Sequence, residues 1–215
     1  MLRVLLVEDE DLLRLALASM LPDDTMTVVG AHADAASAVE AARTVAFDAL
    51  VTDLDLAQGQ GPDGIVLANA LRRAKPEIGV VLLTSYADPR LVGAKLEQVP
   101  ARTEYVRKQD VRDMETLRAA VRRAAYAQGE ALGPMPELEL TDGQIETMRL
   151  VAQGLTNAET ARRRVVTERT VEKSIQRIAQ ALGSTGDSTQ NVRALIVRAY
   201  FELAGASGAR RGVSS

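Results

Sequence analysis

Five side chains widely separated along the chain could act together: the carboxylates of Glu8, Asp9 and Asp53, the hydroxyl of Thr84 and the ammonium of Lys108. Each stands at or just past the end of a short apolar run: Leu2 to Val7, Ala49 to Val51, Val80 to Leu83, and Tyr105-Val106. Three carboxylates within ~4–6 Å repel strongly unless a cation sits among them. An all-oxygen donor set selects a hard cation, and Mg²⁺ suits a few carboxylates completed by waters and a substrate phosphate. Such a site can accept a phosphoryl group on the Asp53 carboxylate as an acyl phosphate. Charge on the phosphoryl oxygens would then meet the metal on one side and Lys108 on the other, with the Thr84 hydroxyl as a further donor. Taken alone, Lys108 reads as a solvated strand-end lysine and Thr84 as a β-branched strand residue. Only the set carries the chemistry.

The elements around these residues explain how they could meet. Leu2 to Val7 is nearly all apolar, as expected of a strand buried on both faces of a parallel sheet. Leu12, Leu13, Ala16, Leu17 and Met20 recur at helical spacing, and Pro22 follows. Thr27 to Gly30 is a short second strand, and Ala35 to Thr44 an Ala-rich helix. After the Asp53 strand, Asp63 is placed to cap a helix carrying Ile65, Val66, Ala68, Leu71 and Arg72. Val80 to Leu83 is the fourth strand, Asp88 to Leu96 a short helix, and Tyr105-Val106 the fifth strand. Leu117, Ala120, Val121 and Ala124 stripe the last helix of the front half. Strands alternating with helices predict an α/β, doubly wound, flavodoxin-like (βα)5 sheet with helices on both faces. In the order 2-1-3-4-5, strands 1 and 3 are neighbours at the switch point, which gathers Glu8, Asp9, Asp53, Thr84 and Lys108 at one edge.

Composition narrows the class. The chain has 215 residues and no Cys, so neither disulfides nor thiolate metal sites are expected. No apolar run approaches ~20 residues, which excludes a membrane-spanning helix. The apolar N-terminus runs straight into acidic residues and reads as a strand, not a signal peptide, giving the expectation of a cytoplasmic protein. Residues 140–215 hold 11 basic and 7 acidic side chains, whereas residues 1–139 hold 15 and 22. A basic rear half behind an acidic front half implies two domains with different partners. His32, the only histidine, is expected in a surface loop away from the acidic residues.

A Gly- and Pro-bearing stretch from Gly129 to Glu137 reads as a linker, and the elements after it are helical only. Thr141 to Gln144 and Thr156 to Glu159 are capping boxes, and Thr167 opens a third helix with Val171, Ile175, Ile178 and Leu182 on one stripe. Val192, Leu195, Ile196, Ala199 and Leu203 stripe a fourth. Short helices with tight turns form a helix-turn-helix arrangement. Opposite the apolar stripe of the third helix fall Arg169, Lys173, Gln176 and Gln180, with Arg177 beside them. Arg and Lys read guanine and Gln reads adenine in the major groove, so this face suits double-stranded DNA.

Glu8-Asp9, Asp53, Thr84-Ser85 and Tyr105-x-x-Lys108 resemble the receiver domains of two-component response regulators. The resemblance implies Mg²⁺-dependent phosphotransfer from a partner histidine kinase to Asp53. It also implies a backbone-carbonyl metal ligand at Asp55 and a Thr84–Tyr105 pair that reorients on phosphorylation. Leu140-Thr141, Leu150 to Asn157, Glu168-x-Thr170-Val171-Glu172-Lys173 and Ala181-Leu182-Gly183 resemble the LuxR-type (NarL-type) DNA-binding domain. That implies major-groove contacts from Arg169, Thr170, Lys173, Gln176 and Arg177, and a homodimer on DNA when phosphorylated. The expected division is a receiver over 1–127, a linker over 128–138, the helix-turn-helix domain over 139–204 and a disordered tail over 205–215. Departures from the two patterns are Ala57 and Gln109, where receivers commonly carry Pro, a long loop from Ala57 to Pro62, and Thr160, Arg164 and Ser174 in place of Ile, Leu and His. The long loop beside the site is expected to affect phosphate lifetime or kinase docking.

Two other classes compete. Asp53-x-Asp55 also resembles the nucleophile motif of haloacid-dehalogenase-type phosphatases, although it stands on the third strand and Ala57 replaces the usual hydroxyl residue. A receiver acting only through protein contacts is the other. The leading expectation is a non-enzymatic, phosphorylation-controlled transcription regulator, self-dephosphorylation being the only turnover.

Overall fold

Parallel pairing joins β1 (Leu2–Val7), β2 (Met26–His32), β3 (Ala49–Thr52), β4 (Gly79–Thr84) and β5 (Thr103–Arg107) in the order β2-β1-β3-β4-β5. This is the doubly wound order expected from the alternation of elements. The structure, a computed structural model, describes residues 1–56, 62–126, 138–183 and 191–205. The inserted loop at 57–61, most of the expected linker and nearly all of the expected tail lie outside the described residues. Among those described, no helix is long and apolar enough to cross a membrane.

Register is set by the apolar runs. Val7 pairs with Thr52 across β1 and β3, and Thr52 with Leu82 across β3 and β4. Strand alternation sends Val4, Leu6, Ala49, Val51, Val81 and Leu83 to one face. There they pack with Leu17 of α1 (Asp11–Met20) and with Leu117, Ala120, Val121 and Ala124 of α4 (Met114–Tyr126). Leu5, Leu50, Val80 and Leu82 alternate with these and are fully buried. α2 (Ala35–Ala41) and α3 (Asp63–Ala74) supply the remaining layer, with Ala38, Ile65, Leu67, Ala68 and Leu71 buried. Asp34 caps α2 by accepting from the Ser37 amide at 2.8 Å. Asp63 was expected to cap α3, but Pro62 holds that position and Asp63 is the first helical residue.

The fourth crossover differs from expectation. No α-helix forms over Asp88 to Leu96; two 3-10 turns, Pro89–Val92 and Leu96–Gln98, take its place. Gly93 sits at φ 83°, which stops the first turn. The Asp88 carboxylate accepts from the Arg90 amide at 2.8 Å, so the segment closes on itself after one turn.

The described residues divide into two compact units. One holds residues 1–84 and 94–126; the other holds residues 85–93 and those from Leu138 onward. The second unit contains α5 (Asp142–Ala152), α6 (Asn157–Arg164), α7 (Glu168–Ala181) and α8 (Val192–Leu203). Both expected capping boxes form, Thr141 with Gln144 and Thr156 with Glu159, and Thr167 caps α7. Ile145, Met148, Val151, Val171, Ile175, Ile178 and Ile196 make its core, and Leu91 joins them. Two departures from the LuxR-type pattern are visible here. Thr160 is fully buried with its hydroxyl unpartnered, while Arg164 leaves the core and donates to the Thr147 hydroxyl.

Val165, which ends α6, lies at φ 55° and is 90% exposed. A β-branched residue in the left-handed region is strained by about 1–2 kcal/mol, and nothing packs on this side chain to offset it. Val165→Asn is expected to stabilise the second unit by about 0.5–1 kcal/mol, since Asn tolerates this region. Thermal unfolding of the two proteins checks this.

Candidate functional site

The carboxyl ends of β1 and β3 fix the acidic residues by extending the sheet ladder one step. The Asp53 amide donates to the Val7 carbonyl at 3.0 Å, and the Glu8 amide to the His32 carbonyl at 3.0 Å. His32 is thus the last residue of β2, beside the site's backbone, and not a surface-loop residue. Its ring folds back over Gly30, with Nε2 buried and unpartnered. Carboxylate oxygens of Glu8, Asp9 and Asp53 lie within 4.8 Å of one another. Glu8 is 1% exposed and Asp53 7%.

Lys108, the first residue past β5, reaches into this group. Its Nζ donates to Asp53 Oδ2 at 2.8 Å and to Glu8 Oε1 at 2.9 Å, with Glu10 Oε1 at 3.7 Å. The sequence placed Lys108 near Asp53 but did not show the bridge to Glu8. Asp55, also buried, donates its amide to Asp53 Oδ1 at 3.2 Å. Thr84 ends β4 fully buried, and Tyr105 is half-buried on β5. Leu82 pairs with Tyr105 and Thr84 with Arg107, so Thr84 and Tyr105 share one face of the sheet.

One residue that sequence reasoning passed over holds Asp53 from behind. A Cβ on Gly64 would meet the Asp53 carbonyl oxygen at 1.9 Å, and the Gly64 amide donates to the Leu54 carbonyl at 3.1 Å. Glycine thus lets the start of α3 press on the backbone that carries Asp53. The only signal in the sequence was a Gly inside the first turn of a helix, where Ala is normally better.

Burial raises the Glu8 carboxyl to about 7; the neighbouring Asp53 charge adds to this, and Lys108 only partly opposes it. Burial likewise raises Asp53, again against the pull of Lys108. Lys108 is itself raised: burial opposes its charge, but the Asp53 and Glu8 carboxylates outweigh that. One ammonium therefore serves two buried carboxylates. Glu8 Oε2 is buried with no hydrogen-bond partner. An oxygen donor left open inside an all-oxygen cluster fits a hard divalent cation such as Mg²⁺.

In the second unit, Arg169, Thr170, Lys173, Gln176 and Arg177 are all exposed on α7, while Val171, Ile175 and Ile178 are buried. The helix thus presents the expected polar face. The Thr170 hydroxyl is engaged locally, sharing a 2.9 Å hydrogen bond with that of Thr167.

Parallel strands thus deliver a buried acidic cluster and a lysine to one sheet edge of an α/β domain. Residues 4–122 match the family of response regulator receiver domains. The chain is 30% identical to the DNA-binding transcriptional activator DevR/DosR of Mycobacterium tuberculosis, over 85% of this chain and 89% of that protein. It is 26% identical to the transcriptional regulatory protein LiaR of Bacillus subtilis, over 88% and 94%. A structure of two RcsB dimers bound to two parallel DNAs shares the fold, with a TM-score of 0.57 at 21% identity over 94% of this chain and 98% of that one. The chain belongs to the response regulators. The phosphatase alternative finds no counterpart among these relatives, which are named as regulators.

Two outcomes are expected. Raising the pH protonates neither state further, but it ionises Glu8 at pH 4.5 when unfolded and near 7 when folded. The folded state therefore holds the extra proton between these values, and stability falls as pH rises through them. In metal-free buffer the loss from pH 5 to pH 8 is on the order of 1–2 kcal/mol, seen as a falling Tm, and Glu8→Gln flattens it. Gly64→Ala is expected to destabilise the first unit by at least ~1–3 kcal/mol, because the new methyl must displace backbone; chemical denaturation measures this.

Proposed function

We propose that this response regulator accepts a phosphoryl group on Asp53 from a sensor histidine kinase and thereby controls DNA binding by α7. The observation that carries this reading is the joint placement of Asp53, Glu8, Asp9 and Lys108 at one sheet edge. In the transfer, an Asp53 carboxylate oxygen forms a bond to phosphorus as the bond from phosphorus to the kinase imidazole breaks. Glu8, Asp9, Asp53 and the Asp55 backbone carbonyl would hold Mg²⁺, which neutralises charge on the phosphoryl oxygens when bound. Lys108 already touches Asp53 Oδ2 and can move to a phosphoryl oxygen as negative charge moves outward from the carboxylate. Thr84 would donate its hydroxyl to the phosphoryl group, and Tyr105, on the same face, would follow Thr84.

Residues 1–127 act in this reading as the receiver and residues 139–204 as the DNA-binding domain, in a cytoplasmic protein that dimerises when phosphorylated. Arg169, Lys173 and Arg177 contribute positive charge to the major-groove face, and Thr170 and Gln176 hydrogen-bonding groups. DevR/DosR is named as a DNA-binding activator and RcsB dimers are found on DNA; the likeness supports the same use of α7 here. Turnover is confined to self-dephosphorylation, an attack of water on the acyl phosphate.

Two experiments test this reading. Acetyl phosphate with Mg²⁺ should add one phosphoryl mass to the wild type and none to Asp53→Asn; phosphorylation of both would move the acceptor elsewhere. DNA fragments selected from genomic DNA by the phosphorylated protein should bind Lys173→Ala about tenfold more weakly, with a salt dependence shallower by about one ion. Binding insensitive to salt would favour a regulator that works through protein contacts alone.

A further inference from the structure

Within the first unit, α3 carries a face that the phosphoryl site does not use. Ile65, Leu67, Ala68 and Leu71 turn inward and are buried. Val66, Ala70 and Arg73 recur at i, i+4 and i+7 and are exposed, Val66 to 64%. Beside this ridge runs the later part of the fourth crossover, Glu97 to Ala101, where no α-helix forms. Between the two lies a groove of about 590 Å³, with apolar walls from Val66, Ala70, Val99, Pro100 and Ala101.

Side-chain hydrogen bonds fix how the walls run. Asn69 Nδ2 donates to the Gln98 carbonyl at 2.8 Å, and the Arg72 guanidinium donates to the carbonyls of Ala101 and Arg102. Gln98 is therefore level with Asn69, and Ala101 with Arg72, so the crossover passes along α3 in the helix's own direction. Glu97 precedes the first of these levels and Arg73 follows the second. The two charges thus lie toward opposite ends of the groove. Both are exposed lining residues, and among the described residues neither side chain has an ion-pair or hydrogen-bond partner.

A cation at one end, an anion at the other and an apolar ridge between them make a pattern that is its own complement. A two-fold axis brings each end against the opposite end of a second copy. The ridge stands beside the groove, so ridge-into-groove packing is open to both copies at once. We propose that this face of α3 is a self-association surface. In a two-fold pair the Arg73 of each copy meets the partner's Glu97, and the Val66–Ala70 ridge of each fills the partner's groove. The pairing uses none of the residues of the phosphoryl site and needs no acyl phosphate. The groove is small against a standard protein interface, so the pair is weak, with a Kd on the order of 10⁻⁴ M.

The test is sedimentation of the full-length, unphosphorylated protein at low salt, from about 10 µM to about 1 mM. The wild type should move from monomer toward dimer over this range. Arg73→Glu and Glu97→Arg each set like charges face to face at both ends, and each should raise Kd at least about tenfold. Mixed in equal amounts, the two single variants regain opposite charges at both ends and should pair with each other at least as tightly as the wild type. The double variant Arg73→Glu/Glu97→Arg should likewise recover pairing with itself. Both positions are exposed, so all three variants should keep the wild-type Tm. A wild type that stays monomeric throughout overturns the proposal and leaves the groove to a different partner. Dimerisation that neither single variant weakens places the contact elsewhere and overturns it too. Single variants that are weakened, with no recovery in the mixture or the double variant, overturn the pairing of Arg73 with Glu97.

Discussion

Buried negative charge at one sheet edge is the constraint on which the rest of this structure depends. Glu8 and Asp53 are nearly inaccessible, Asp9 stands beside them, and Lys108 is the cation that bridges them. Burial raises both Glu8 and Asp53, neighbouring carboxylates add to it, and Lys108 opposes it only in part. The parallel sheet makes this concentration of charge possible. β1, β3 and β5 each end where their ladder brings a polar residue to the same edge, and Gly64 holds the Asp53 backbone from the other side.

The second unit handles buried charge in the opposite way. Asp88 and Arg90 are about as inaccessible as Glu8 and Asp53, but every face of the guanidinium is met by a carboxylate or a carbonyl. A completed buried pair specifies one arrangement more than it adds stability, because desolvation offsets much of the attraction. Arg90 therefore acts chiefly on where residues 85–93 reside. The contrast is between an acidic cluster that one lysine only partly balances and a buried pair whose donors all find acceptors.

Much of this was legible in the sequence. Short apolar runs ending in Glu8, Asp53, Thr84 and near Lys108 gave the strands, and the alternation with helical stripes gave their order. Thr141, Thr156 and Thr167 announced three helix starts through local capping chemistry, which needs no tertiary information. What escaped was decided by contacts distant in sequence. The helix expected at Asp88 to Leu96 was a sound local reading, overridden by Arg90 bonding to residues about fifty positions away. His32 looked like a loop residue because β2 extends further than its apolar centre. The bridge from Lys108 to Glu8 spans a hundred positions, and no periodicity encodes it.

The central claim is that Lys108 occupies, with its ammonium, part of the charge deficit that a divalent cation would fill. Calorimetric titration of Mg²⁺ into the wild type and Lys108→Ala at pH 8, where Glu8 is ionised, tests this directly. The account predicts tighter Mg²⁺ binding by Lys108→Ala, on the order of fivefold or more, because the competing cation has gone. Unchanged or weaker binding by the variant would contradict it.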